Sequence, residues 1–125
     1  MGAIFLVGLG GFLGSILRYL LGGWVHRMLN NPWFPYGTLA VNILGCLMIG
    51  FLGGLAEDHQ VFSSEARLFV FLGILGGFTT FSSFAYETSA LATDGQFVAA
   101  SMNIGLQVVV GLVAVRTGSL LARLI

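Results

Sequence analysis

The chain has 125 residues, 57% of them hydrophobic before its 19 glycines are counted, with only five basic and five acidic side chains. Charged residues make up 8% of the chain, against about 25% in ordinary soluble domains; mean hydropathy is +0.96 and the formal net charge is zero. So little charge cannot cover a soluble domain, so much hydrophobicity excludes disorder, and a neutral chain has no basic footprint for nucleic acid, which leaves an integral membrane protein.

A bilayer core about 30 Å thick needs about 20 apolar residues per helix, and four stretches meet that length. The opening Met-Gly-Ala-Ile-Phe-Leu has no positive segment and does not read as a cleavable signal peptide. The first span is expected over about residues 3–21, interrupted only by Arg18. After the turn cluster Asn30-Asn31-Pro32-Trp33-Phe34-Pro35, the second is expected over 37–56. Trp24, Trp33, Phe34 and Tyr36 gather around this connection as an interfacial aromatic belt. Glu57, Asp58, His59, Glu65 and Arg67 crowd the next connection, ahead of a third span over 68–92. Asp94 and Gly95 mark the last connection, and the fourth span covers 97–115, closed by Arg116. Four such spans leave no room for a soluble domain. The reading is one all-α membrane domain, a four-helix bundle over 1–125.

An even number of spans puts both termini on one side of the membrane. That side holds Arg67, Arg116 and Arg123, and the other holds Arg18 and Arg27. The asymmetry that normally decides insertion is nearly absent. Either so few charges carry no information, or the chain inserts both ways round and forms antiparallel homodimers. Gly10 and Gly14, Gly50 and Gly54, and Gly73 and Gly77 stand four apart, a spacing that lets helix backbones approach closely. Any ion path through so tight a bundle is narrow and lies at a subunit interface.

Catalysis finds little support. Neither His26 nor His59 lies in a span, Cys46 has no nearby base, no metal-ligand spacing occurs, and no nucleophile and base meet at depth. The polar residues inside the spans are nearly all neutral hydrogen-bonding groups: Asn42, then Thr79, Thr80, Ser82, Ser83 and Tyr86, then Ser101, Asn103 and Gln107. Interhelical hydrogen bonding is their ordinary role. Glu87 is the one carboxylate within a span, toward its end, which disfavours a proton-coupled pump. The densest signal is Gly76-Gly77-Phe78-Thr79-Thr80-Phe81-Ser82-Ser83-Phe84. Paired glycines and β-branched threonines weaken helix continuity, so the third helix is expected to break there. Freed carbonyls can ligate a hard cation, and backbone groups released in a membrane are tolerated only inside protein or along a cavity. Phe81 and Phe84 share a helix face, and their positive ring edges could flank a small anion to which Asn42 donates an amide N–H.

These residues resemble the Fluc (CrcB) fluoride channels over nearly the whole chain. The matching segments are Gly10-Gly11-Phe12-Leu13-Gly14 with Arg18-Tyr19, Pro35-Tyr36-Gly37-Thr38-Leu39 with Val41-Asn42 and Gly45, and the Gly76–Phe84 run. The resemblance implies a dual-topology antiparallel homodimer in the inner (plasma) membrane of a microbe, with two pores that export fluoride passively. It implies a pore lined by Asn42, Phe81, Phe84, Ser83 and Thr38, with Arg18 and Glu87 near the vestibule. It also implies a central structural Na⁺ shared between subunits and held by the backbone carbonyls of Gly76 and Thr79. Ser83 stands where many relatives carry Thr, and Asn103 and Gln107 stand on the fourth-helix side of the pore where some carry Tyr and Ser. A small multidrug/proton antiporter also has four spans and weak charge bias, but it needs an embedded first-helix carboxylate, and residues 2–17 contain none. A membrane scaffold subunit would leave the broken third helix without a purpose.

Overall fold

The computed structural model describes residues 1–125. It is all-helical, with four helices long and apolar enough to cross a membrane: α1 (Gly2–Met28), α2 (Tyr36–Asp58), α3 (Ser64–Thr93) and α4 (Phe97–Ala122). Each helix overruns its apolar stretch at one or both ends. α1 continues past Leu21 through Trp24, His26 and Arg27, and α4 runs through Arg116 to Ala122, because polar and aromatic side chains at membrane level reach the interface without ending the helix.

α3 is not continuous. Its first arm, 64–78, starts with a turn capped by Ser63, whose Oγ accepts from the Ala66 N–H at 3.2 Å. It widens to a π-helix over Leu68–Leu75 and closes with one α-turn, Gly76–Phe78. Thr79 (φ −82°, ψ 156°) and Thr80 (φ −149°, ψ 110°) are extended, and the second arm resumes at Phe81 and ends at Thr93. The break lets α3 change partners. The first arm packs on α1, and the second packs on the amino-terminal part of α4. α2 lies along the carboxy-terminal part of α4 and also touches α1.

All six paired glycines stand at these crossings. A Cβ added to Gly10 would fall 2.8 Å from the Cα of Gly73, and one on Gly77 would fall 2.6 Å from the Gly11 carbonyl oxygen. On the other side of the bundle, a Cβ on Gly54 would meet that of Ala122 at 2.8 Å, and Gly50 lies against the Val115 backbone. Helices in lipid gain little from apolar burial against one another, so close backbone approach supplies their attraction.

The connections are short and capped. Asn30 and Asn31 both take positive φ (57° and 51°) in the turn after α1, a conformation asparagine tolerates better than most residues. Gly95 (φ +78°) closes α3, with the Gln96 N–H donating to the Leu91 carbonyl at 2.9 Å. Arg67 Nη2 donates to the Ala56 carbonyl at 2.9 Å and satisfies the end of α2. Phe34 departs from the expected aromatic belt. It is 3% exposed and plugs a small core with Leu91, Ala99 and Ala100, whereas Trp24 and Trp33 stay largely exposed. The α1–α2 connection folds inward over the α3–α4 corner, and the alanines of α4 leave room for one large ring.

The glycine crossings make a direct prediction. Gly10→Ala forces α1 off the first arm of α3 and is expected to cost about 1–3 kcal/mol, the range of an overpacked contact. Gly8→Ala, where an added Cβ meets nothing within 4 Å, leaves stability unchanged or slightly raised. Thermal melts of the two variants in detergent check this. Equal midpoints would show that the crossing does not depend on a bare Gly10.

Candidate functional site

The break creates the site because it leaves backbone groups to satisfy. The first arm closes itself: the Thr79 N–H and the Thr79 Oγ1 each donate to the Leu75 carbonyl at 3.0 Å. Thr80 caps the second arm, its Oγ1 accepting from the Ser83 N–H at 3.2 Å and donating to Ser83 Oγ at 2.9 Å. The backbone of Thr80 itself is answered from another helix. In a continuous helix its N–H would donate to the Gly76 carbonyl; here it donates to Asn42 Oδ1 at 2.9 Å.

Asn42, on α2, answers Thr80 on both sides. Its Nδ2 donates to the Thr80 carbonyl at 3.0 Å and to Gln107 Oε1 at 3.0 Å. Gln107 lies in a second π-helical stretch, Leu106–Val110, within α4; such wide turns often occur at functional positions. Its other terminal atom, Nε2, is buried and has no hydrogen-bond partner.

Asn42 and Gln107 line a cavity of about 400 Å³ together with Phe81, Phe84, Gly76 and Thr79. The Phe81 and Phe84 rings meet edge-on, centroids 5.4 Å apart and planes at 63°. Phe81 is 78% exposed, so the cavity is open on that side. Thr80 also borders a second cavity of about 200 Å³, on which Arg18, Ser83 and Thr38 converge. Thr38 borders a third, about 570 Å³, with Glu87 and His26 on its walls. There the Thr38 Oγ1 donates to Glu87 Oε1 at 2.7 Å, and Glu87 Oε2 is buried without a partner. Arg18 reaches the break from α1, its Nη1 donating to the Thr79 carbonyl at 3.3 Å.

Six of the eleven residues expected at the site therefore meet at one cavity, and Arg18, Ser83, Thr38 and Glu87 follow along the next two. Asn103 stands apart and lines none of these three cavities. It is fully buried, its Nδ2 donating to Thr88 Oγ1 at 2.9 Å, and that hydroxyl donates to the Phe84 carbonyl at 2.7 Å. Two participants were not singled out from sequence. Cys46 lines the main cavity, and its place one helical turn after Asn42 on α2 is the signal that could have found it. Thr88 has no such signal, since its partner comes from another helix.

The chain is similar to known proteins over nearly its whole length. The model of the family described as CrcB-like protein, camphor resistance (CrcB), matches residues 5–119. The chain is 49% identical over 123 residues to the "Fluoride-specific ion channel FluC" of Elusimicrobium minutum, covering 97% of this chain and 94% of that one. It is 45% identical over 120 residues to the protein of the same name from Clostridium perfringens, covering 96% and 93%. It is 40% identical over 122 residues to "Fluoride-specific ion channel FluC 3" of Methanosarcina barkeri, covering 98% and 91%.

The two asparagines separate by stability. Asn42→Leu strands the N–H and the carbonyl of Thr80, at about 1–3 kcal/mol for each buried group left unpaired. Asn103→Leu loses one bond but also removes Oδ1, a buried acceptor that has no partner, so its effect is expected within about 1 kcal/mol. Thermal unfolding in detergent should rank Asn42→Leu well below Asn103→Leu; the reverse order would mean that Asn42 does not hold the break.

Proposed function

This chain belongs to the CrcB-like family, and from that membership we propose that it is a fluoride-selective passive channel that exports fluoride from the cytoplasm across the plasma membrane. It is a multi-pass membrane protein, and both its family and its relatives point to a channel rather than an enzyme. The observation that carries the reading is the cavity beside the α3 break, where an amide network and two phenylalanine rings meet.

Fluoride is small and strongly hydrated, so a path through lipid has to replace its water with donors of comparable strength. Asn42, Gln107, Ser83 and Thr38 line the path with neutral amides and hydroxyls, and Phe81 and Phe84 present ring edges, the positive part of the aromatic quadrupole. In the chain alone the Asn42 N–H groups are held by the Thr80 carbonyl and Gln107, and the Thr38 hydroxyl by Glu87. Asn103, one turn before Gln107 on α4, faces none of these cavities and holds Thr88. Glu87 stands at the wider cavity, and Arg18 lines the small cavity next to the break, where its guanidinium attracts anions. No step requires a residue to change protonation state, so flux runs down the gradient. A track this narrow discriminates against chloride by size.

The assembly in this reading is an antiparallel dual-topology homodimer with two pores. The even spread of arginine over the two sides supports it. So do the open side of the main cavity and the large exposed side chains along α3, including Leu72, Phe81 and Tyr86. A two-fold axis repeats any interface site, hence two pores. A structural Na⁺ shared by the two chains fits the break. Diversion of the Thr80 N–H to Asn42 takes the helical donor away from the Gly76 carbonyl, and the Thr79 carbonyl lies in the extended residue next to it. Hard cations take oxygen ligands. Each chain offers the Gly76 carbonyl and the second lone pair of the Thr79 carbonyl, which also accepts from Arg18 Nη1 at 3.3 Å, and two chains offer four oxygens. The ion would tie the two breaks together and add positive charge to the centre of the dimer.

Fluoride efflux from liposomes holding the purified protein, read by a fluoride electrode with chloride efflux in parallel, tests the reading. Rapid fluoride release without chloride release is expected. Phe81→Ile and Asn42→Asp should abolish that release in protein that still elutes as a folded dimer, the first by removing a ring edge and the second by placing an acceptor-only carboxylate against the Thr80 carbonyl. Release of neither ion by well-folded wild-type protein would sink the channel and favour a scaffold subunit. Unchanged flux in either variant would refute the pore assignment.

A further inference from the structure

Four cavities share walls and form one series from end to end of the bundle. Thr38 borders both the wide cavity of Glu87 and the small one of Arg18, and Thr80 borders the small one and the cavity of the phenylalanine rings. Phe71 borders the ring cavity and a fourth, of about 480 Å³, which lies at the opposite end from Glu87, between the end of α2 and the first turns of α3. A single face of α2 runs beside them all. Thr38, Asn42, Gly45, Ile49, Gly53 and Ala56 follow at steps of three or four residues, the spacing of one helical stripe. From Thr38 to Ala56 that stripe rises about 27 Å at about 1.5 Å per residue, close to the thickness of a bilayer's hydrocarbon core.

At the fourth cavity the stripe is made of small residues. A Cβ added to Gly53 would meet nothing within 4 Å, and a space of this size holds on the order of ten waters. Arg67 stands on its wall beside Ser64. The guanidinium is anchored on two carbonyls, Nη2 donating to Ala56 at 2.9 Å and Nε to Phe62 at 3.5 Å, so three of its five N–H groups stay free. Neither anchor neutralises it. The one ion pair of the chain joins Arg123 to Asp58 at 3.9 Å, and Glu57, on the same cavity wall, pairs with no cation.

We propose that this cavity is the second mouth of the ion path and that Arg67 is the charge that draws anions to it. The proposal rests on the fluoride-channel reading and adds to it an exit and a residue that sets conduction there. A fixed, unpaired guanidinium raises the local concentration of anions, an effect that salt screens over about 10 Å at about 0.1 M. Arg18 acts from the small cavity on the other side of the rings, so the rings lie between two arginines. The small residues at 53 and 56 keep the exit wide enough for an ion with water around it.

Unitary fluoride currents in planar bilayers test both halves. Gly53→Leu fills the mouth and is expected to lose most of the unitary current. Gly8→Leu, equally open at its Cβ and on the wall of none of the four cavities, keeps it. Equal currents in the two would mean that the space merely holds lipid, and would overturn the mouth. Arg67→Lys keeps the charge and Arg67→Gln removes it. In dilute fluoride the lysine variant is expected to carry at least about twofold more unitary current, and the gap closes when an impermeant salt is added. A lost helix cap alone would change the number of active channels and not the current of each. Equal currents, or a gap that salt leaves unchanged, overturn the role of the charge. Should Gly53→Leu fail to elute as folded protein, Gly53→Cys in a Cys46→Ala background is treated in the bilayer with a methanethiosulfonate reagent. Current lost on treatment and restored by a reductant supports the mouth, and undiminished current overturns it. Silence of wild-type protein would end the channel reading, whereas a wild-type current with unaffected variants overturns only the second mouth.

Discussion

A backbone amide in a membrane has no water to turn to, and the Thr80 amide is where that constraint bears on this fold. Helix α3 opens at Thr79 and Thr80, and the carboxamide of Asn42 takes both the N–H and the carbonyl of Thr80. Without it, two main-chain groups would stand unpaired at membrane depth, at about 1–3 kcal/mol each. With it, the break becomes a fixed feature with a defined direction of polarity. The Gly76 carbonyl loses its helical donor, Gln107 is oriented, and Phe81 begins a new helix with its ring at the cavity.

The break also decides how the bundle packs. A straight α3 would run along a single partner. Interrupted, it spends its first arm on α1, through Gly10, Gly73 and Gly77, and its second on α4. α2 lies against the other part of α4 through Gly50, Gly54 and Gly118, which brings Asn42 and Gln107 within reach of the same two threonines. The glycines and the break serve one arrangement. Close approach holds the helices at the spacing a carboxamide can bridge, and the bridge makes the interruption tolerable.

Much of this was legible in the residues. Twenty-residue apolar runs gave the four helices, and the Gly-Gly-Phe-Thr-Thr run located the interruption, because both depend on local composition that lipid makes decisive. The four-residue glycine spacing likewise located the crossings. What stayed hidden depends on partners from other helices. Asn42 reads as a pore residue, and only the fold shows that it also answers both backbone groups of Thr80. Asn103 reads as a polar wall until Thr88 is found beside it. Phe34 reads as one more interfacial aromatic, and only the alanines at 99 and 100 on a distant helix turn it inward. The π-helical stretches over Leu68–Leu75 and Leu106–Val110 have no sequence signal at all, since a wide turn is stabilised by its packing and not by its own side chains.

The two unpaired buried groups along the path differ in kind, and the difference matters for an anion. Glu87 Oε2 is an acceptor, whereas Gln107 Nε2 is a donor. An anion gains only from the donor, so the polar series from Gln107 through Ser83 and Thr38 to Glu87 is not uniform along its length. Its one unpaired donor belongs to the cavity of the Phe81–Phe84 rings, and its unpaired acceptor belongs to the cavity walled by Trp33 and Phe34. Thr38 joins the two, its hydroxyl committed to Glu87 Oε1. Arg18 reaches the break on the Thr79 carbonyl, and His26 shares the cavity of the carboxylate. For the proposed channel this means that an anion is favoured at the cavity beside the rings and opposed by the carboxylate at the far cavity, so the polarity of the series depends on a break that stays fixed.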